Sequence, residues 1–228
     1  MAIADATWTA VQEEMSEVLG YTDTPILKVH ELGACSAGNW VTGLMLQATK
    51  ADGAIMAFYN VGGIRASQEM PEGQTTRDIT VYDMYTITPF ANSLLLYDIT
   101  GRELAALLRQ GLNDTGYGDQ MTGLTFTYTA TGNADTPREK REFTIKSITL
   151  DDGTEVDLND TETLYRICIT NYNATKTGSV LEGKEPVIPL ADAPVDNDAF
   201  ICLLRENREA NEGYIPVDTS PRGIEITE

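Results

Sequence analysis

The sequence predicts an α+β domain (α/β-like), a mixed β-sheet flanked by helices. Three observations carry this prediction. Stretches with apolar residues at i, i+3 and i+4 occur early, in the middle and late in the chain. Short apolar or alternating runs, bounded by Gly, Pro, Asn and Asp, fall between them. After an opening pair of helices, strands and helices alternate, the order expected of one sheet with helices packed on it.

Each element follows from its own pattern. Trp8, Val11, Met15, Val18 and Leu19 have helical spacing, so 7–21 reads as a helix stopped at Gly20. In 37–49, Trp40, Val41, Leu44, Met45 and Ala48 form one helical face. Residues 54–60, AIMAFYN, are a short continuous apolar run after an Asp-Gly turn, the pattern of a buried strand. The piece 78–87 is ambiguous between strand and helix. A strand is expected at 93–99. Thr100 and Glu103 then form a capping box for a helix over 101–112. Strands are expected at 124–130, 141–150 and 163–172, with a hairpin turn at 151–153 leading to the segment Glu155–Leu158. The Gly/Pro/Asp-rich 176–196 is a loop within one domain. A helix over 196–210 is capped by Asp196 or Asn197, and GIEIT closes the chain as a last strand. The whole, 1–228, reads as a single domain with a core over about 25–228 and an N-terminal helix in 1–24.

Composition excludes several classes. With 35 acids against 16 bases the net charge is −19, which argues against a nucleic-acid partner. No apolar run is long enough for a membrane span. The opening MAIADATWTAVQEE lacks a basic segment followed by an apolar core, so it is not a signal peptide. Cys35, Cys168 and Cys202 are odd in number and form no CxxC pair, so free, mostly buried thiols are expected ahead of a disulfide. The sole histidine, His30, reads as structural or solvent-facing, and the chain cannot build a histidine-rich metal centre. No metal ligand and no catalytic residue is assigned.

The candidate site begins at Asn60-Val61-Gly62-Gly63-Ile64-Arg65. Glycines after a strand let backbone N–H groups approach an anion, and a guanidinium can bond two oxygens at once. The competing reading is a solvated loop. Pro89-Phe90-Ala91-Asn92 and Asn171-Tyr172-Asn173-Ala174-Thr175 lie at strand ends. Phe90 and Tyr172 are either core residues or two plates for a flat ring. The second reading requires both to lie at the sheet edge that carries Arg65.

Taken in order, these motifs resemble the C-terminal domain of the 5′-nucleotidase and UDP-sugar hydrolase family. The residues that carry the resemblance are Gly38-Asn39, Asn60…Gly62-Gly63-Ile64-Arg65, Pro89-Phe90-Ala91-Asn92, Thr100-Gly101-Arg102-Glu103-Leu104 and Tyr165…Asn171-Tyr172-Asn173-Ala174-Thr175. Their order and spacing fit from about Pro25 onward. The resemblance implies a nucleotide- or nucleoside-binding domain. Its partner would be a separate N-terminal metallophosphoesterase domain holding two divalent metals, with no cofactor in these residues. It implies that Arg65 meets the phosphate, Phe90 and Tyr172 stack on the base, and Asn92 bonds the base or ribose. Gly116 would line the base pocket, and Lys28 would stand near a second phosphate-binding position, beside an insertion at Gly33-Ala34-Cys35. An extracytoplasmic location is implied as well. One departure stands out. Where the family carries Gly-Gly-Asp-Gly, with an aspartate on the nucleoside, this chain has Lys176-Thr177-Gly178-Ser179. The alternative is a non-catalytic interaction or cell-surface module keeping the same fold, with its cleft filled.

Overall fold

A computed structural model describes residues 2–29, 35–132, 135–137 and 140–227. His30 and the Gly33-Ala34 part of the insertion lie outside the described residues. The elements are α1 (Ala2–Met15), β1 (Val18–Thr22), α2 (Ser36–Thr49), β2 (Met56–Tyr59), β3 (Arg77–Thr80), α3 (Val81–Ile87), β4 (Leu94–Thr100) and α4 (Gly101–Asn113). Then come β5 (Gln120–Thr122), β6 (Leu124–Ala130), β7 (Phe143–Leu150), β8 (Leu164–Thr170), α5 (Asn171–Ala174), α6 (Asp196–Ala210) and β9 (Gly223–Glu225).

The central sheet has the order β4-β8-β2-β5, with β2 parallel to β8 and both outer pairings antiparallel. Alternation along β2 builds two cores, one on each face. Ala57 and Tyr59 join a cluster with α2, α3 and α6. Met56 and Phe58 join a second cluster with α4, β6 and β7. The smaller sheet, β7-β6-β9, lies on that second side, and β1 pairs with β3 on the first. This is the mixed α+β architecture that the sequence predicts.

Local chemistry explains most boundaries. Thr100 and Glu103 close the expected capping box at α4, and Leu104, Leu107, Leu108 and Leu112 bury its inner stripe. Thr80 and Asp83 form a second box, which splits the ambiguous 78–87 into β3 and α3. Cys35 and Cys168 are buried and Cys202 is exposed, all as free thiols. Complete burial pushes the Cys168 thiol up to about 12, so it stays protonated.

Four expectations need correction. The helix expected over 7–21 ends at Met15, and Val18–Thr22 is a strand. Pairing with β3 and the bond from Tyr21 N–H to Gly213 O at 2.7 Å outweigh local periodicity there. The strand expected to reach residue 172 stops at Thr170, whose hydroxyl caps the short α5. Helix α6 starts as expected, but Val195 holds the cap position and no side chain bonds there, because the Asp196 carboxylate is engaged in the interior. Glu155 makes one bridge to Thr149, without extending to a strand. β5 has only three residues and gave no periodic signal.

Gly123 turns the chain from β5 into β6 at φ +91, and a Cβ there would stand 2.2 Å from Ile55 O. Gly123→Ala is therefore expected to destabilise by about 3 kcal/mol, since left-handed strain and a backbone clash add. Urea unfolding with an unchanged slope would read this as a shifted midpoint.

Candidate functional site

Four segments meet at one edge of the central sheet. β2 and β8 are parallel and end together, with Phe58 opposite Ile169. β4 begins at that end, Leu94 opposite Thr170, and β5 begins there too, Tyr59 opposite Gln120. The segments 60–65, 89–93, 114–119 and 171–176 therefore share one rim. Loops past the carboxyl ends of parallel strands are a common place for ligands.

The Asn60–Arg65 segment is built from inside. Val61–Gly63 is a 3-10 turn, closed by Gly63 N–H to Asn60 O at 2.8 Å. The buried Asp119 accepts Val61 N–H at 2.8 Å and fixes the turn from the β5 side. Gly63 is required because a Cβ would lie 2.6 Å from the Tyr59 ring. Gly62 has a looser neighbour, Asn60 Nδ2 at 3.2 Å. Neither glycine has positive φ, so close approach, rather than a left-handed backbone, accounts for Gly63. Asn60 itself is buried.

Arg65 emerges from this turn into solvent. Its N–H donates to Ile87 O at 2.8 Å and its Nη1 to Gly62 O at 3.1 Å. The guanidinium lies 5.8 Å from the centroid of the Phe90 ring. Lys28 stands close enough that, after burial, the Arg65 charge is the next cause holding its pKa below the ordinary lysine value. Among the described residues neither Lys28 nor Arg65 forms an ion pair. Two unpaired cations side by side, in a chain of net charge −19, form a local anion-attracting point.

Both candidate rings are outside the cores. Phe90 is 56% exposed and Tyr172 is 53% exposed, so the core reading of both is excluded. Their segments are bonded together: Ser93 N–H donates to Asn171 Oδ1 and Asn171 N–H to Ser93 O, each at 2.9 Å. Ala91, between Phe90 and Asn92, has φ 50, a left-handed conformation that only surrounding bonds sustain in a non-glycine residue.

Bonds that pin this segment run from Asn92 to two residues that no motif links to it. Asn92 is 9% exposed, and its Nδ2 donates to the Tyr59 hydroxyl oxygen at 3.2 Å and to Asp196 Oδ2 at 3.4 Å. The resemblance implies that Asn92 bonds the base or ribose; its amide nitrogen is turned inward, as a strut. The Tyr59 hydroxyl donates to Asp196 Oδ2 at 3.2 Å, and Asn197 N–H to Asp196 Oδ1 at 2.8 Å. Burial raises the Asp196 carboxyl above the usual range. No spacing rule marks Tyr59 or Asp196, 137 residues apart; only the fold brings them together.

The third side of the rim is occupied by Lys176. Its Nζ lies 2.6 Å from Asp114 Oδ2 and 4.3 Å from the Tyr117 ring centroid. A Cβ on Gly116 would stand 2.2 Å from that amine. Gly116 keeps both backbone groups engaged, its N–H to Asp114 Oδ1 and its carbonyl with Asn173 Nδ2, each at 2.8 Å. Gly178 has φ +80, and its N–H donates to Glu182 Oε2 at 2.8 Å. Among the described residues no three His, Cys, Asp or Glu side chains gather in a way that could hold a metal ion. No helix of the described residues is long and apolar enough to cross a membrane.

Fold and rim together define a class: an α+β domain with its candidate-site loops collected at one end of a mixed sheet. Residues 18–182 match the family model described as 5′-nucleotidase, C-terminal domain, and the chain belongs to that family. It is 30% identical over 170 residues to the trifunctional nucleotide phosphoesterase protein YfkN of Bacillus subtilis, covering 71% of this chain and 11% of that protein. It is 26% identical over 178 residues to the cell wall protein Lmo0130 of Listeria monocytogenes, covering 77% of this chain and 22% of that one. The 5′-nucleotidase precursor of Thermus thermophilus superposes with a TM-score of 0.74 at 23% identity, over 98% of this chain and 42% of that chain. The chain thus spans well under half the length of these relatives.

Proposed function

We propose that this chain is the nucleotide-binding part of a 5′-nucleotidase-type phosphoesterase acting on nucleotides or UDP-sugars. Arg65, with Lys28 beside it, takes the phosphate. Phe90 and Tyr172 take the base. Phosphoester hydrolysis, with two divalent metals and the attacking water, belongs to a separate N-terminal metallophosphoesterase domain, and this chain alone is inactive. The observation that carries the reading is the unpaired Arg65 guanidinium beside an exposed Phe90 ring, on the rim that also carries exposed Tyr172. Open rings speak against the alternative of a filled, degenerate cleft. The relative named a nucleotide phosphoesterase supports the substrate class, and the cell-wall relative supports an extracytoplasmic location. Gly178, within Lys176-Thr177-Gly178-Ser179, stands where the resemblance implies the family's aspartate, so the nucleoside contact differs from the family pattern.

The test is calorimetric titration of the chain with AMP and adenosine. AMP is expected to bind tighter, and Arg65→Ala should weaken AMP about 10- to 100-fold with adenosine unchanged, the scale of a charge-assisted bond of about 1.5–3 kcal/mol. Absence of AMP binding, or AMP binding indifferent to Arg65→Ala and Tyr172→Ala, overturns the reading.

A further inference from the structure

Glycines in this chain have reasons. Among the described residues, each has a left-handed backbone or a neighbour within 4 Å of where its Cβ would be, except Gly43. Gly38, five residues earlier in α2, shows the usual case: its Cβ would meet Gln120 Oε1 at 2.0 Å. Gly43 is mid-helix, with ordinary φ and nothing within 4 Å. A glycine there weakens the helix with no return from backbone or packing.

What Gly43 faces is a cavity of about 240 Å³ between α2, α6 and the segment 213–218. Trp40 and Gln47 flank Gly43 on the same face of α2, and Asn207 and Arg208 of α6 and Tyr214 stand around it. None of the rim residues Arg65, Phe90 and Tyr172 lines it. The roof is pinned. Asn39 Nδ2 donates to Asp218 O at 3.1 Å and to Ser220 O at 2.9 Å, and Arg222 Nη2 lies 2.7 Å from Asp218 Oδ2. The void is therefore held open by bonded groups, and Gly43 is what leaves it unfilled.

Its charge is also defined. Arg222 is shared between Asp218 and Asp151, whereas Arg208 is exposed and forms no ion pair among the described residues. The Arg208 guanidinium, whose charge also reaches the Glu17 carboxylate, stands at the mouth, the edge of the largely buried Trp40 indole at the wall, and the side-chain amides of Gln47 and Asn207 at the edge. We propose that this cavity is a second ligand site, taking a small planar monoanion, an aryl or indolyl carboxylate, with its ring against Trp40 and its carboxylate on Arg208. The volume suits a bicyclic ring, since a cavity of about 150 Å³ accommodates benzene.

The test uses the full chain, with indole-3-acetate as probe and indole-3-acetamide as its neutral match. The sequence has two tryptophans, and Trp8 is 63% exposed on α1, so the two indole N–H signals serve as site and control. The Trp40 signal should move on titration with a Kd of about 1 mM, the strength expected of a fragment, while Trp8 stays. Gly43→Leu should abolish the shift. Gly43→Ala should raise Tm by about 2–4 °C through helix propensity alone, showing that the position tolerates a side chain. Arg208→Gln should weaken the acid at least about 5-fold and leave the amide unchanged. An unmoved Trp40 signal, binding retained in Gly43→Leu, or equal affinity for acid and amide overturns the proposal.

Discussion

Asp196→Ala is expected to destabilise the fold by about 3 kcal/mol, because it leaves two buried donors, the Tyr59 hydroxyl and Asn197 N–H, without an acceptor and removes one of two acceptors of the Asn92 amide. Asp196 has no solvent exposure and receives the Tyr59 hydroxyl, the Asn92 amide and Asn197 N–H. Removing the buried charge offsets part of that loss. The effect should not stay local. Asn92 O also accepts Asp196 N–H at 2.9 Å, so the carboxylate and its own backbone hold the segment that keeps Ala91 left-handed and Phe90 exposed. Urea unfolding gives the stability change, and backbone amide shifts at 89–93 report the loosened rim. A change under about 1 kcal/mol would show that water or a neighbour replaces the carboxylate.

The pH dependence has a defined sign. Burial raises the Asp196 carboxyl in the folded state above its unfolded value of about 3.8. Its contribution is then fully present below the unfolded pKa and is lost as pH rises through the folded pKa. Asp196→Asn keeps an acceptor and cannot titrate. Wild type should therefore gain stability relative to Asp196→Asn as pH falls from neutral towards the unfolded pKa. A difference that stays flat over that window would contradict the buried, pKa-raised carboxylate.

The double substitution Phe90→Ala with Tyr172→Ala is expected to cost about 3 kcal/mol of adenosine binding, or about 100-fold, since stacking on an aromatic side chain contributes about 1–3 kcal/mol. Both rings are more than half exposed, so stability should change by less than about 0.5 kcal/mol. The single variants should differ. Phe90 also lies under the Arg65 guanidinium at 5.8 Å, so Phe90→Ala removes a cation–π contact of about 0.5–1 kcal/mol and should weaken AMP more than adenosine. Tyr172→Ala should weaken both equally. If instead Phe90→Ala affects both ligands alike, Phe90 does not position Arg65.

The sequence by itself determined the element types wherever periodicity was long or a cap was complete. The apolar run before Asn60, the Thr100–Glu103 box with the leucine stripe of α4, and the helix from Asp196 were legible for this reason. It also determined the family, because five loose motifs in fixed order constrain far more than any one. Tertiary structure decided the rest. Val18–Leu19 fits a helix or a strand locally, and the partner β3 and the Gly213 carbonyl chose the strand. That Phe90, Tyr172 and Arg65 share one rim follows from the parallel pairing of β2 with β8, which spacing does not encode. The inward turn of Asn92 depended on an acceptor 104 residues away. Local sequence reports the backbone's own preferences over a few residues. Which way a polar side chain faces is set by the burial and bonding of partners that only the folded chain supplies.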